Sequence, residues 1–590
     1  MTVDYDPAQD LVLTCDLALR LIVEKTGGVC AYLDHLCEQM EMQKNNFLIY
    51  QFFRDWHFDA VGSDIFTYKN IGFGFRFRID IWNDFTFYVR LRLCLERLRQ
   101  ISHQALFVGL SNGPVKHVID EMNLDGKILP RSQFVPQPVY FFPIHEWIDQ
   151  RLHTKTMRHF VRDTVTVLQG YVMGGWDRIT GSLKKRTGVF VQEYYPTRKI
   201  LQSLLQQRRI SVVQAHFSSA QGVTKFLRER PIPVYGSAEK YRPTARLLME
   251  NFRRVRSAKL ILSNGIDITN AVNHIIEQRI ADILPEVLRD LDCVIRHLEK
   301  NPLKLIVLAG NLGQLAMLVD AVAKHQGIPS YLIINGLLGN EFHDEGKYAT
   351  VINSYSTSIR DNYFRGMQNI VCLGDPRMDD YAASEKKLIN RTTPTITISA
   401  SGFNNIDLNS YLAVEFDFLN DVLQALAILR QRGLDTHVII KVRSNGYKLQ
   451  YCNFVEEYYP GVVNEIIDNA PIREILDRTD FLISIYSQTL FEASCLGIPS
   501  VYYRKDNEII DPPFDGQSEL VTISDVPSLV TAIEDFQQNH ERYNDFLKKS
   551  MMEKYVGRLD GKNLKRNLDY IDHLLAHRSK ANPAEQYRPN

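Results

Sequence analysis

From Lys304 onward the chain repeats one pattern: a short apolar run, a glycine-bearing turn, then an amphipathic segment. LKLIVLAG (303–310) predicts a strand, NLGQLAMLVDAVAKHQG (311–327) a helix stopped by Gly327, and IPSYLIING (328–336) the next strand. A strand near 347–355, a helix around 356–366 and a strand at 369–374 continue the series. A polar stretch with two prolines, 374–394, breaks it. The rhythm then restarts, with strands expected at 395–401, 436–444, 481–487, 498–504 and 519–525. Helices are expected at 411–433, 471–480, 488–497 and 526–538, and two more helical stretches, 540–556 and 562–577, follow. Strands alternating with helices make βαβ units, and βαβ units make parallel sheets. The expected fold class is α/β, with two tandem Rossmann-like doubly wound domains.

The first 240 residues lack that regularity. ALFVGLSNGPVKHVIDEM (105–122) and ISVVQAHFSSAQGVTKFLRER (210–230) read as further strand-turn-helix units. The region 46–92 is rich in aromatic residues, and the alternation in GFRFRIDIW predicts an antiparallel strand pair. The expected division is an additional N-terminal α/β or α+β region (1–150), a first Rossmann-like domain (151–375), a second (376–560), and a C-terminal helix with a disordered tail (561–590).

Charge and cysteine usage narrow the class. Lys plus Arg is 69 and Asp plus Glu is 69 in 590 residues, which argues against a protein that coats nucleic acid. The eight cysteines are scattered without a CxxC pair, which fits small buried hydrophobes in a reducing compartment. The acidic start MTVDYDPAQD lacks the basic-then-apolar order of a targeting signal, and Leu303–Ala323 carries too many polar residues for a membrane span. A cytoplasmic protein is expected. LKKR (183–186) and NFRRVR (251–256) leave room for peripheral contact with the inner face of a membrane.

Ligands of open α/β sheets bind beyond the carboxyl ends of the strands. In FLISIYSQTLFEASCLGIP (481–499) the strand gives way to Ser487, Gln488 and Thr489, which open a helix carrying Glu492 one turn in. Free N–H groups and hydroxyls there suit phosphate, and the carboxylate suits the two ribose hydroxyls of a nucleotide; a plain helix cap with a solvated Glu492 is the alternative. In VIIKVRSNGY (438–447), Lys441 and Arg443 alternate at a strand end and suit a phosphate or diphosphate leaving group. His343, Asp344 and Glu345 stand together before Gly346, where an imidazole or carboxylate could take a proton from an attacking hydroxyl; a charged turn is the alternative. The turns at 310–313 and 111–114 carry glycine without a fingerprint. The Asp290/Asp292 pair sits in a helical context, where a metal–nucleotide site is not expected, and no P-loop pattern occurs.

The stretch 255–560 resembles GT-B glycosyltransferases of bacterial surface-polysaccharide (capsule and lipopolysaccharide) biosynthesis, the broad group with sialyl-, Kdo-type and CDP-glycerol transferases. GIPSYLIING, NSYSTSIRDNYF and NIVCLGDPRMDDY are similar in course to the end of an acceptor domain, and DFLISIYSQTLFEASCLGIPSVYY to a donor-binding strand-helix-strand. Asp344-Glu345-Gly346 resembles the acidic-acidic-Gly motif whose first carboxylate is the general base. Two positions depart from the group: Asn335 stands where Gln-His-Gly carries His, and Arg443-Ser444 where a His-Pro motif would fall. The resemblance implies transfer of a sugar from a nucleotide-activated donor to a hydroxyl of a growing glycan. No divalent metal or other cofactor is expected, and the expected partners are a nucleotide sugar and a glycan or lipid-linked glycan acceptor, not nucleic acid. A nucleotide-sugar epimerase of the same two-domain form and a non-catalytic assembly partner are the alternatives.

Overall fold

The computed structural model describes residues 6–576, apart from 16, 102–104, 111–113, 125, 131–163, 166, 173–174, 176–185, 216–228, 311–312, 337–347, 383, 401–407, 409 and 444–447. The chain forms two compact units. One comprises Leu48–Trp82, Thr154–Ala383 and Glu553–Asn590, the other Met1–Phe47, Asn83–His153 and Ser384–Met552.

The first of these is built on a seven-stranded sheet of β1 (Thr187–Val191), β2 (Ile210–Gln214), β3 (Glu229–Pro231), β4 (Leu303–Ala309), β5 (Ser330–Ile333), β6 (Val351–Asn353) and β7 (Ile370–Val371). Every pairing is parallel, and the spatial order is β3-β2-β1-β4-β5-β6-β7. Six of the seven residues of β4 are buried, as a central strand covered on both faces requires. The other unit holds β8 (Thr395–Ser399), β9 (His437–Lys441), β10 (Glu465–Ile467), β11 (Phe481–Ser484), β12 (Ser500–Tyr503) and β13 (Thr522–Ile523), again all parallel, in the order β10-β9-β8-β11-β12-β13. Counted from its own first strand, the six-stranded sheet runs 3-2-1-4-5-6, the Rossmann order, and the seven-stranded sheet runs the same course with a seventh strand added at its end. The chain therefore carries two doubly wound domains, as the rhythm predicts.

Helices fall between the strands where the periodicity places them, at Gln314–His325, Thr357–Asn362, Val414–Gln431, Ile472–Leu476, Thr489–Cys495 and Val526–Gln537. In the six-stranded unit the core is aromatic at its centre. Phe481 of β11 stacks on Phe536 at 4.4 Å between centroids, and both are fully buried. Burying a phenylalanine contributes about 1.5–3 kcal/mol, so the pair anchors helix Val526–Gln537 to the sheet.

Three expectations need correction. The alternating GFRFRIDIW is not a strand pair: Gly74–Phe77 is a 3-10 turn that runs into helix Arg78–Ile101. Phe77, Ile81, Phe85 and Tyr88 bury one face at helical spacing, and that longer period wins over a four-residue alternation. The antiparallel pair lies just before it, Thr67–Tyr68 against Ile71–Gly72, turned through Lys69 and Asn70 at φ 51° and 65°. Residues 1–150 are not a region apart, because their segments join both units, and the break expected at 375/376 falls at Ala383/Ser384. Nor is the C-terminal helix separate. Helix Asn563–Ala576 belongs to the seven-stranded unit, where the Asp379 carboxylate accepts the N–H groups of Asn563 and Leu564 (2.9 and 2.8 Å). Asn567 Oδ1 accepts from Tyr331 Oη of β5 and Asn353 Nδ2 of β6 (2.6 and 3.0 Å). The helix sits so close that a Cβ on Gly374, at φ +80°, would lie 2.0 Å from Asn563 Oδ1. The expected tail, 577–590, lies outside the described residues.

None of the eight cysteines is in a disulfide. Among the described residues no helix is long and apolar enough to cross a membrane. Of the two basic stretches, 183–185 lie outside the described residues, and Arg253 and Arg256 pair with Glu277.

Candidate functional site

A doubly wound sheet opens a crevice where its connections reverse direction. In the six-stranded unit that reversal lies between β8 and β11, whose ends are joined by a hydrogen bond from Ser484 Oγ to the Ser399 carbonyl (3.1 Å). The sequence-predicted residues Ser487, Gln488 and Thr489 follow β11 directly, so topology brings them to this switch point. Ser487 and Thr489 are half-buried, and the Ser487 hydroxyl donates to Thr489 Oγ1 (3.1 Å). Glu492 is buried in the first turn of Thr489–Cys495, beneath that polar turn.

The backbone there is less open than the sequence suggests. Thr489 N–H donates to Ser487 Oγ (3.2 Å), Leu490 N–H to the Ser487 carbonyl, and Phe491 and Glu492 N–H to the Gln488 carbonyl. An anion at this turn therefore competes for the Ser487 and Thr489 groups rather than meeting four free N–H groups.

Lys441 and Arg443 differ in their surroundings. Strand β9 ends at Lys441, and the Val442 N–H still donates to the Ile467 carbonyl of β10 (2.8 Å). Lys441 is buried, and its ammonium donates to the carbonyls of Val442 (2.7 Å) and Asp468 (2.9 Å), tying the end of β9 to the segment after β10. Burial pushes its pKa below the usual lysine range, against the pull of Asp468. Arg443 is exposed.

In the seven-stranded unit the switch point lies between β1 and β4. There Gln192, buried just past β1, accepts the Ala309 N–H at the end of β4 (3.1 Å). His343, Asp344 and Glu345 lie outside the described residues. The turn that leads to them is held from beneath: Tyr355 Oη donates to the Ile334 carbonyl and accepts from Arg377 Nη2 (3.1 Å), and Arg377 pairs with buried Asp375. Tyr355 is fully buried with φ +65°, a left-handed conformation that a bulky residue adopts only when its surroundings enforce it. Burial, reinforced by the Asp375 charge, raises its phenol above the usual range.

Asp290 and Asp292 are in the helical setting expected. Asp292 accepts from Tyr241 (2.7 Å) and pairs with Lys69, and these bonds hold its carboxyl below the usual range despite burial. A cavity of about 330 Å³ lined by Arg242, Arg246, Asp282 and Glu286 among others includes none of the predicted residues.

Sequence reasoning missed Gln192, Tyr355, Asp375 and Arg377, although each follows a strand end, which is the signal that marks such positions. It also gave the turn at 111–114 no fingerprint and counted the G-x-S-x-G pattern as missing, yet GLSNG (109–113) has that spacing between strand Ala105–Leu110 and helix Pro114–Glu121. Ser111 lies outside the described residues.

No protein-family model and no curated protein matches the chain. Among solved structures, MnaA of S. aureus in a co-structure with UDP aligns over 66% of this chain and 97% of its own, at 10% identity and a TM-score of 0.41. A UDP-GlcNAc 2-epimerase from Neisseria meningitidis bound to UDP-GlcNAc covers 65% and 99% at 11% identity and a TM-score of 0.40. A glycosyltransferase from Rickettsia africae covers 66% and 99% at 9% identity and a TM-score of 0.35.

Proposed function

We propose that the protein is a GT-B glycosyltransferase that moves a sugar from a nucleotide-activated donor to a hydroxyl of a growing surface glycan. One observation carries the reading: the polar turn Ser487-Gln488-Thr489 and the buried carboxylate of Glu492 stand at the switch point of a sheet in Rossmann order. The resemblance of 255–560 supports the same class.

In this reading the donor lies on the six-stranded unit. Glu492 accepts the ribose hydroxyls, while Ser487, Gln488 and Thr489 donate to the phosphates. Exposed Arg443 meets the leaving-group charge, and buried Lys441 shapes the strand end. Fixed donors aimed at the leaving diphosphate stabilise its charge as it develops, which is where most of the rate enhancement in such chemistry arises, and no step calls for a divalent metal. Asp344, or His343 or Glu345 beside it, takes the proton of the attacking hydroxyl as the new C–O bond forms and the bond to phosphate breaks.

The test is calorimetric titration of the full chain with CMP, CDP, UDP and GDP, in wild type and Glu492→Ala. One nucleotide should bind wild type, and the variant should lose affinity at least tenfold. Binding to neither, or equally to both, would refute this donor site. Incubation with the matching sugar nucleotide alone, followed by product analysis, separates transfer from epimerisation, because an epimerase turns over without an acceptor.

A further inference from the structure

The N-terminal helix Gln39–Asp55 opens with two glutamines one turn apart, and both reach the same distant peptide. Gln39 Oε1 accepts the Asn507 N–H (2.6 Å), and Gln43 Nε2 donates to the Asn507 carbonyl (2.6 Å). Asn507 sits in the segment after β12, the strand beside β11. Its neighbours are bound as firmly. Asp506 is buried and accepts from Ser410 Oγ (3.0 Å), the Glu508 N–H (3.1 Å) and the Gln39 side chain. Glu508 is also buried, and its carboxylate accepts the phenol of Tyr486 (2.7 Å).

Tyr486 immediately precedes Ser487. A line of directional bonds thus runs from the N-terminal helix through the adjacent residues Asn507 and Glu508 to the residue just before the polar turn at the switch point, all within the six-stranded unit. A buried, charge-assisted bond of this kind fixes a loop more sharply than apolar packing does.

We infer that Gln39, Gln43, Glu508 and Tyr486 are positioning residues for the donor, with the Gln39/Gln43 clamp on Asn507 setting the Ser487–Thr489 turn through the Glu508–Tyr486 bond. The inference rests on the donor-site reading above. It gives residues 39–47 a role in substrate binding rather than in an appended module.

The directions of the bonds make the test specific. Tyr486→Phe deletes the donating oxygen, Glu508→Leu deletes the acceptor, and Glu508→Gln keeps an acceptor oxygen. Titration of the full chain with CMP, CDP, UDP and GDP identifies the nucleotide that binds wild type, and the variants are then measured with it. Tyr486→Phe and Glu508→Leu should weaken binding at least fivefold, and Glu508→Gln should stay within twofold of wild type. Gln43→Met should weaken it in the same direction. In a transfer assay KM for the donor should rise while kcat holds. A role in folding alone would lower the melting temperature and leave the affinity of the folded fraction unchanged. Wild-type affinity in Tyr486→Phe would overturn the inference and leave the donor site standing. A wild-type chain that binds none of the four would overturn the donor site itself.

Discussion

Replacing Lys441 with methionine separates two roles that one residue type can play at a strand end. The structure commits its ammonium to two backbone carbonyls, those of Val442 at 2.7 Å and Asp468 at 2.9 Å, inside a buried setting. Methionine keeps the length of the stem and removes the donor. Each charge-assisted bond is worth about 1.5–3 kcal/mol, and relief from burying the ammonium returns part of that sum. The net loss should be about 1–3 kcal/mol. Unfolding entropy is about 2.1 cal/mol/K per residue, so for a unit of about 290 residues that loss moves the melting temperature by about 2–5 °C. Differential scanning calorimetry measures the shift, and nucleotide titration measures affinity, which should stay within twofold of wild type. Arg443→Ala should do the reverse, because the side chain is exposed: an unchanged melting temperature and a weaker grip on the nucleotide. A Lys441→Met protein that melts like wild type but loses tenfold in affinity would refute this assignment and restore Lys441 as a phosphate ligand.

Other perturbations have equally definite outcomes. Gly188→Ala would place a Cβ 2.2 Å from the Pro302 carbonyl oxygen where β1 meets β4, so it should cost about 1–3 kcal/mol of overpacking and lower the melting temperature of the seven-stranded unit. Burial holds the His297 imidazole down to about 4, with Lys300 and Arg230 adding repulsion. The unfolded chain takes up that proton near pH 6.5, so the stability His297 contributes is complete above about 6.5 and is lost as pH falls toward 4. The advantage of wild type over His297→Gln should shrink by about 2 kcal/mol between pH 7.5 and 5, read from melting temperatures at the two values. Asp344→Asn should cut turnover by about a hundredfold or more with donor affinity near wild type, and unchanged turnover would remove Asp344 from the proton transfer.

Ten of the thirteen strands in the two sheets were legible because strand and helix in a doubly wound fold carry their own signals, whereas β1, β3 and β10 were not anticipated. Runs such as LKLIVLA and FLISI are apolar at nearly every position that both faces bury, and the helices between them repeat near 3.6 residues. The turn Ser487–Thr489 was legible for the same reason, since it follows a strand whose end is plain. Helix Arg78–Ile101 was not. The residues that lead into it alternate Phe and Arg over a window too short to separate a period of 2 from one of 3.6, and the buried series Phe77, Ile81, Phe85, Tyr88 shows only over three turns. The role of Lys441 was hidden because its acceptors are backbone carbonyls, one of them 27 residues away and invisible to any side-chain pattern.

The loops at the carboxyl end of the six-stranded sheet show why such sites resist reading from local sequence. Arg90, buried in helix Arg78–Ile101, donates to the Ser410 carbonyl (2.8 Å) and pairs with buried Asp34 (3.2 Å), which in turn accepts the Leu412 N–H (2.7 Å). Asn46 accepts the Leu408 N–H, and the two glutamines hold Asn507. Partners in these bonds stand more than 300 residues apart in most cases. A buried ion pair such as Arg90–Asp34 adds little net stability over an apolar pair of equal size, yet removing one partner costs about 3–5 kcal/mol because the other is left charged and dry. Such bonds therefore select one arrangement of the loops rather than strengthen the fold. A pattern of hydrophobic periods records what the fold needs to be stable, whereas the placement of residues 408, 410, 412 and 506–508 is recorded only in which distant side chain meets which peptide.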